Sequence, residues 1–271
     1  MRIGNREFQE QNKTYVMGIL NVTPDSFSDG GKWREMDPAL RHVEDMIAQG
    51  MDILDVGGES TRPGYTVISP EEESHRVVPV IEAVKARFDI PVSLDTYKSS
   101  VAQAGIQAGA DMINDIWGLK YDEAMARVIA EGGAACCLMH NRKEPVYREL
   151  MADVAGDLAE SVQLALKAGI SRKKIILDPG VGFAKTYEEN LKILGNLERL
   201  GALGFPLLLG SSRKSVIGLT LDLPARQRLE GTLVTTVFAV QQGCMFVRVH
   251  DVQANVRAIR MTEAILAGGK I

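Results

Sequence analysis

Polar and ionisable residues gather just past short apolar runs at eight places in the chain. They read Asn21-Val-Thr-Pro-Asp-Ser-Phe-Ser-Asp-Gly-Gly31, Asp55-Val-Gly-Gly-Glu-Ser-Thr-Arg-Pro-Gly64, Asp95-Thr-Tyr-Lys98, Asn114-Asp115, Met139-His140-Asn141-Arg142, Asp178-Pro-Gly-Val-Gly-Phe183, Ser211-Ser-Arg-Lys214 and Arg248-Val-His-Asp251. A buried Asp beside an Asn offers acceptors and donors along a flat edge, which suits an amino-pyrimidinone heterocycle. Arg248 and His250, with the amide of Asn21, make an anion site for which phosphate is the natural guest. Ser212, Arg213 and Lys214 add a second cationic corner bearing a hydroxyl. The Gly/Pro/Ser-rich stretches after Asn21 and Asp55 have the composition of lids that exclude water.

Each of these residues also has a plainer reading. Asn21, Asp95, Asn114 and Asp178 could each cap a following helix, and singly that is the better bet. Four such groups at four strand ends favour a shared cavity. Asp55 is expected to be structural, bonding backbone at the barrel mouth, and Glu59 to orient its loop. Asp115 is open between the two readings. His140 is equally a site residue or a satisfied structural histidine. His42 and His75 lie in helical stretches, and Trp33 and Trp117 near loops, so all four are read as surface or packing residues.

The elements that must position these groups are legible as an alternation. β-rich runs are expected at Tyr15–Val22, Asp52–Gly57, Pro91–Thr96, Met112–Ile116, Ala134–His140, Lys174–Asp178, Pro206–Ser211 and Met245–His250. Helical periodicity lies between them, at Asp37–Gln49, Pro70–Phe88, Ser99–Ala108, Asp122–Glu131, Val154–Ala168, Tyr187–Leu200, Ala225–Gln241 and Val252–Leu266. In Pro70–Phe88, for instance, Val77, Val78, Ile81, Val84 and Phe88 recur at helical spacing behind an acidic first turn. Near-continuous apolar strands alternating with helices predict a parallel sheet covered by helices, and eight βα units predict an α/β fold closed as a TIM (β/α)8 barrel. In such a barrel the C-terminal strand ends build the active site, and strands one and eight are neighbours. Asn21, Arg248 and His250 can therefore meet.

The chain of 271 residues suits one such domain, and residues 1–271 are read as one, with about residues 1–14 capping the barrel floor. Net charge is −4 without a Lys/Arg-rich run, which argues against nucleic-acid and polybasic membrane partners. Cys136, Cys137 and Cys244 match no zinc spacing and are expected as buried thiols in a reducing compartment. The polar start and the short apolar runs predict a soluble, cytoplasmic protein with no secretory signal or membrane span.

The segments GILNVTPDSFSDGG (18–31), DVGGESTRPG (55–64), SLDTYK (93–98), INDIWG (113–118), LDPGVGF (177–183), SSRKS (211–215) and RVHDV (248–252) resemble the dihydropteroate synthase motifs, in that family's order. The likeness covers essentially the whole chain. It implies a transferase of folate biosynthesis that joins 6-hydroxymethyl-7,8-dihydropterin diphosphate to p-aminobenzoate. It implies that the pterin is held by Asp95, Asn114, Asp178, Phe183 and Lys214, and the diphosphate by Asn21, Arg248 and His250, with Mg²⁺ bridging the phosphates and Asn21. The p-aminobenzoate would lie against Phe27, Thr61, Arg62 and Pro63, its carboxylate meeting Ser212, Lys214 and a helix N-terminus. Asp29, Asp95, Asp178 and Lys214 would be catalytic. The resemblance further implies a homodimer and inhibition by sulfonamides, which mimic p-aminobenzoate.

Two other readings compete. A methyltetrahydrofolate:corrinoid methyltransferase shares a similar pterin-binding Asp/Asn/Asp set but gives no reason for Arg248, His250 and the Ser211–Lys214 corner. A silent relative that only binds pterin or a partner would not need Asp29, Lys214, Arg248 and His250 together.

Overall fold

The computed structural model describes residues 1–9, 13–22, 32–59 and 67–268. Phe27, Asp29, Thr61, Arg62 and Pro63 lie outside the described residues. A small antiparallel hairpin, β1 (Arg2–Ile3) and β2 (Arg6–Glu7), precedes eight parallel strands. These are β3 (Tyr15–Asn21), β4 (Ile53–Gly57), β5 (Val92–Asp95), β6 (Met112–Asp115), β7 (Ala135–Met139), β8 (Ile175–Asp178), β9 (Leu208–Leu209) and β10 (Phe246–Val249). Pairing runs from β8 through β7, β6, β5, β4 and β3 to β10 and β9. A parallel bridge from Leu177 to Leu207, with Leu177 N donating to Pro206 O at 2.9 Å, brings the last gap together. The result is the expected barrel.

Alternation along each strand sorts the side chains into two layers. Met17, Ile53, Met112, Cys137, Ile176, Leu208 and Phe246 pack together inside the barrel floor. Their neighbours Val16, Leu54, Ile113, Cys136, Ile175, Leu209 and Val247 face the helices instead. Ile3 and Phe8 of the N-terminal hairpin join the inner floor, with the Phe8 ring edge-on to Tyr15 at 4.9 Å and to Phe246 at 5.5 Å. Both faces of β4 to β8 are covered, so every residue in those strands is buried.

The helices on the outside are α1 (Lys32–Ala48), α2 (Pro70–Arg87), α3 (Ser99–Gln107), α4 (Met125–Gly132), α5 (Leu150–Lys167), α6 (Tyr187–Leu194), α7 (Leu197–Gly201), α8 (Ser215–Leu221), α9 (Leu229–Gln241) and α10 (Val252–Gly268). Helix α2 starts on Ser69, whose Oγ accepts from Glu72 N at 3.2 Å, with Pro70 and three glutamates in its first turn. Its Val77, Ile81 and Val84 are fully buried.

Two expected helices are broken. Tyr187–Leu200 divides at Gly195–Asn196, where Asn196 leaves helical geometry and its amide donates back to Lys192 O at 2.8 Å. Helix Ala225–Gln241 starts only at Leu229. Pro224 precedes a 3₁₀ turn, and Arg228 turns back to donate to Leu223 O at 2.8 Å and Arg213 O at 2.9 Å. The expected strand Pro206–Ser211 shortens to two residues because its partner on one side is a single bridge.

Candidate active site

The alternation that fills the barrel floor with apolar side chains also selects what reaches the mouth. Two residues beyond Phe246, Ile176 and Met112 come Arg248, Asp178 and Asn114; beyond Ile53 come Asp55 and then Gly57. Asp95 and Asn114 are Cα partners in neighbouring strands, as are Gly57 and Asp95, and Asn21 and Gly57. Asp95, Asn114 and Asp178 are all buried.

Charge is tightly organised here. Arg248 donates from Nε to Asp55 Oδ2 at 2.6 Å and from Nη2 to Asp95 Oδ2 at 2.7 Å. Asp55 is fully buried and serves the guanidinium, which corrects the expectation that it bonds backbone. The remaining oxygens Asp55 Oδ1 and Asp95 Oδ1 are buried without a partner. Burial pushes the Asp95 carboxyl up to about 7, with Asp55 adding to the rise and Arg248 opposing it. The two acids raise the affinity of Arg248 for its proton despite burial.

On the opposite wall Asp178 Oδ1 accepts from Gly180 N at 2.7 Å, a local turn bond rather than a helix cap, since the next helix begins at Tyr187 on a Thr186 cap. The other Asp178 oxygen lies beside Gly210. A Cβ placed on Gly210 would lie 3.4 Å from Asp178 Oδ2, 3.8 Å from Lys214 Nζ and 4.0 Å from Arg248 Cβ, so all three converge beside that glycine. Lys214 donates to Val181 O at 2.6 Å and lies 4.6 Å from the centre of the Phe183 ring. Burial lowers the Lys214 ammonium to about 8, although Asp178 opposes the fall. Asp178 itself is raised by burial, against the pull of Lys214. Tyr97, Ile116 and Met139, with Trp117 and Phe183, give this polar ring an apolar wall.

A hydroxyl joins Ser212 to His250. Ser212 Oγ is 3.0 Å from His250 Nδ1 and accepts from His250 N at 3.2 Å. Arg213 adopts a left-handed backbone (φ 58°) and turns away to form a two-point ion pair with Asp251, at 3.0 and 2.6 Å. Hence Ser212 and Lys214 serve the mouth while Arg213 braces the loop. Asn21 lies at the end of β3, and its Oδ1 would be 3.8 Å from a Cβ on Gly57, with Asp95 Oδ2 at 3.9 Å from the same point.

The structure thus brings Asp95, Asn114, Asp178, Lys214, Phe183, Arg248 and Asn21 around one opening, with Ser212 and His250 beside it. The ambiguous residues separate. Asp115 accepts from Trp117 N at 2.9 Å and Leu119 N at 2.7 Å, so it shapes a turn. His140 is buried between Asp157 and Lys185, and burial, helped by Lys185, lowers it to about 3. Glu59 accepts from Ile68 N and Lys98 Nζ at 2.8 Å and from Tyr97 OH at 2.7 Å. His42 and His75 are exposed. Sequence reasoning missed Lys185; its signal is a lysine in Phe183-Ala-Lys-Thr186, immediately after a glycine-rich strand end.

The sequence and the fold are both similar to those of known proteins. Residues 17–250 match the family described as pterin binding enzyme. A curated dihydropteroate synthase from Clostridium beijerinckii is 57% identical over 267 residues, covering 98% of this chain and 99% of that protein. A crystal structure of dihydropteroate synthase from Clostridium difficile, determined in the presence of pteroic acid, superimposes with a TM-score of 0.93 at 49% identity, covering 96% of this chain and 99% of that one. The Xanthomonas albilineans enzyme with 4-aminobenzoic acid gives a TM-score of 0.89 at 42% identity, covering 94% of both chains.

Proposed function

This chain belongs to the dihydropteroate synthase family of pterin binding enzymes, and on that premise we propose that its barrel mouth condenses 6-hydroxymethyl-7,8-dihydropterin diphosphate with p-aminobenzoate. The products are 7,8-dihydropteroate and diphosphate. The observation that carries the site assignment is the convergence of Asp178, Lys214 and Arg248 beside Gly210, with Arg248 bound in turn to Asp95.

The pterin lies deep, its ring edge facing Asp95, Asn114 and Asp178 and its face against Phe183. Lys214 donates to a ring acceptor. Asn21, Arg248 and His250 face the diphosphate. The C–O bond to diphosphate breaks first and the leaving group takes the electron pair, so a delocalised pterin cation forms. Asp95 and Asp178 stabilise that charge, and Arg248 and His250 stabilise the departing anion. The amine of p-aminobenzoate then attacks the exocyclic carbon and releases its proton to water. Asp29 from the first loop, and Phe27, Thr61, Arg62 and Pro63 around the benzoate, complete the proposal by family resemblance alone. Ser212 and Lys214 face the benzoate carboxylate, and sulfonamides compete at the same place.

A divalent cation fits this donor set in one way. Among the described residues no group of three or more His, Cys, Asp or Glu side chains could hold a metal, so a protein cage is excluded for those residues. Asn21 Oδ1, at the mouth near Asp95, can supply one oxygen ligand, and Mg²⁺ commonly takes its others from phosphates and waters. When bound there, Mg²⁺ would neutralise charge on the leaving diphosphate.

One domain carries these functions. No helix among the described residues is long and apolar enough to cross a membrane, and Cys136, Cys137 and Cys244 are free and buried, which supports a cytoplasmic location. Phe238 and Val234 on α9 and Met261 and Ile265 on α10 are exposed, and these apolar side chains are proposed to meet a second copy of the chain.

The deciding experiment mixes purified protein with both substrates and Mg²⁺ and follows both products. Equal release of dihydropteroate and diphosphate, lost in Asp95→Ala and Lys214→Ala, supports the reading. Pterin binding without either product would favour a methyltransferase or a silent binder.

A further inference from the structure

Behind the pterin wall the loop from Asp178 to Thr186 adopts an unusual backbone. Gly180, Gly182 and Ala184 all have left-handed φ, at 70°, 84° and 47°, and Ala184 has a Cβ that disfavours it. The loop is also pressed close: a Cβ on Gly180 would lie 2.0 Å from His140 O. Such a path persists only where its surroundings hold it.

The Lys185 ammonium stands at its centre. It donates to Gly180 O at 3.0 Å and to Phe183 O at 3.1 Å, and lies 2.8 Å from His140 Nδ1. His140 Nε2 faces the Asp157 carboxylate at 3.0 Å, so the ring proton belongs on Nε2 and leaves Nδ1 as an acceptor for Lys185. Arg142 holds Asp157 from the far side at 2.5 and 3.2 Å. Two further ties secure the loop: Tyr147 OH donates to Ala184 O at 2.7 Å, and Gly182 N donates to Asn190 Oδ1 at 2.6 Å. The loop in turn presents the Phe183 ring and the Val181 carbonyl that receives Lys214.

We infer that Lys185 is a positioning residue for the pterin pocket, setting the Phe183 ring and, through the Val181 carbonyl, the Lys214 ammonium by tying together the carbonyls of Gly180 and Phe183 and the ring of His140. The inference rests on the pocket assignment made above. The role assigned to Lys185 is exerted through its contacts with the loop carbonyls and His140. Burial lowers Lys185 to about 7, with Asp178 and Glu189 opposing and Lys214 and Arg142 reinforcing the fall. A methionine of similar length would fill the space but donate nothing.

The test measures the affinity of 6-hydroxymethyl-dihydropterin by calorimetry, together with kcat and both KM values, in Lys185→Met, Tyr147→Phe and Asp178→Asn proteins. Loss of these charge-assisted bonds is expected to weaken pterin binding and raise KM for the pterin diphosphate about tenfold in Lys185→Met. KM for p-aminobenzoate rises by less, because Lys214 shares its carboxylate with Ser212, and Tyr147→Phe moves pterin affinity in the same direction as Lys185→Met but by less. Wild-type pterin affinity in a folded Lys185→Met protein, with binding lost in Asp178→Asn, would overturn the inference and spare the pocket. Should Lys185→Met not fold, unchanged pterin affinity in Tyr147→Phe overturns it equally. Intact binding in Asp178→Asn would remove the pocket assignment and this inference together.

Discussion

Asp55 lies directly behind Arg248, its Oδ2 accepting from Nε at 2.6 Å while its own surface is wholly buried. Asp55 orients the guanidinium, and the other edge of that guanidinium reaches Asp95. In the proposed assignment, pterin recognition by Asp95 and diphosphate recognition by Arg248 are therefore linked through one side chain.

Removing the rear member should expose that link. Asp55→Ala leaves a buried guanidinium with one carboxylate, and breaking such a pair costs about 3–5 kcal/mol. Denaturant unfolding should show that loss, and KM for the pterin diphosphate should rise. Asp55→Asn, which keeps an acceptor, should lose less of both. An Asp55→Ala protein with unaltered stability would mean Arg248 finds other partners.

Asp95 should show the opposite balance, because burial opposes its charged form. Its folded value of about 7 exceeds the ordinary 3.8, so between these values the folded state keeps a proton that the unfolded state releases. The carboxylate therefore subtracts stability increasingly as pH rises from about 4 through 7, and fully above that. Asp95→Asn should be more stable than wild type at pH 8, by on the order of 1 kcal/mol, with the difference vanishing toward pH 4. Pterin affinity should fall at the same time. Thermal unfolding across pH separates this from a neutral substitution.

These two aspartates also show how far a sequence can be read. Asp95, Asn114, Asp178 and Arg248 stood out because a polar residue ending an apolar strand has few reasons to be there. Alternation alone, counted from Phe246 or Ile176, puts them inside the barrel. Asp55 reads as structural at the mouth, but its partner escapes sequence reasoning because Arg248 is 193 residues away. Lys185 escaped for a related reason: its contacts are mostly backbone carbonyls, which carry no residue identity. The breaks at Asn196 and Arg228 depended on side chains that bond back to nearby carbonyls, a competition that apolar periodicity does not register.

Lys214 should set the alkaline limit of activity. Burial lowers it to about 8, against Asp178 and Asp95 and with the help of Arg248. Above that value the free enzyme loses a cationic donor, so kcat/KM for the pterin diphosphate should decline through pH 8 and above. Lys214→Met should be far less active and lose that limb. Lys214→Arg should not restore activity, since the planar guanidinium cannot take the position of a compact ammonium between Val181 O and Phe183. A pH profile that stays flat to pH 10 in wild type would show that another group provides the donor.

Removal of Mg²⁺ should act on the diphosphate alone. Asn21, the proposed oxygen ligand, is exposed at the end of β3, whereas the proposed pterin contacts Asp95, Asn114 and Asp178 are buried. Chelation by EDTA should weaken binding of the pterin diphosphate and suppress turnover, while leaving the affinity for 6-hydroxymethyl-dihydropterin unchanged. Asn21→Ala should reproduce part of the effect and raise the Mg²⁺ concentration needed for half-maximal rate, by about the tenfold or less that one neutral ligand supplies. Calorimetry with and without EDTA on both ligands makes the comparison. If the bare pterin loses affinity as much as its diphosphate, the cation supports the pocket and not the leaving group, and Asn21 must then hold the barrel mouth rather than the metal.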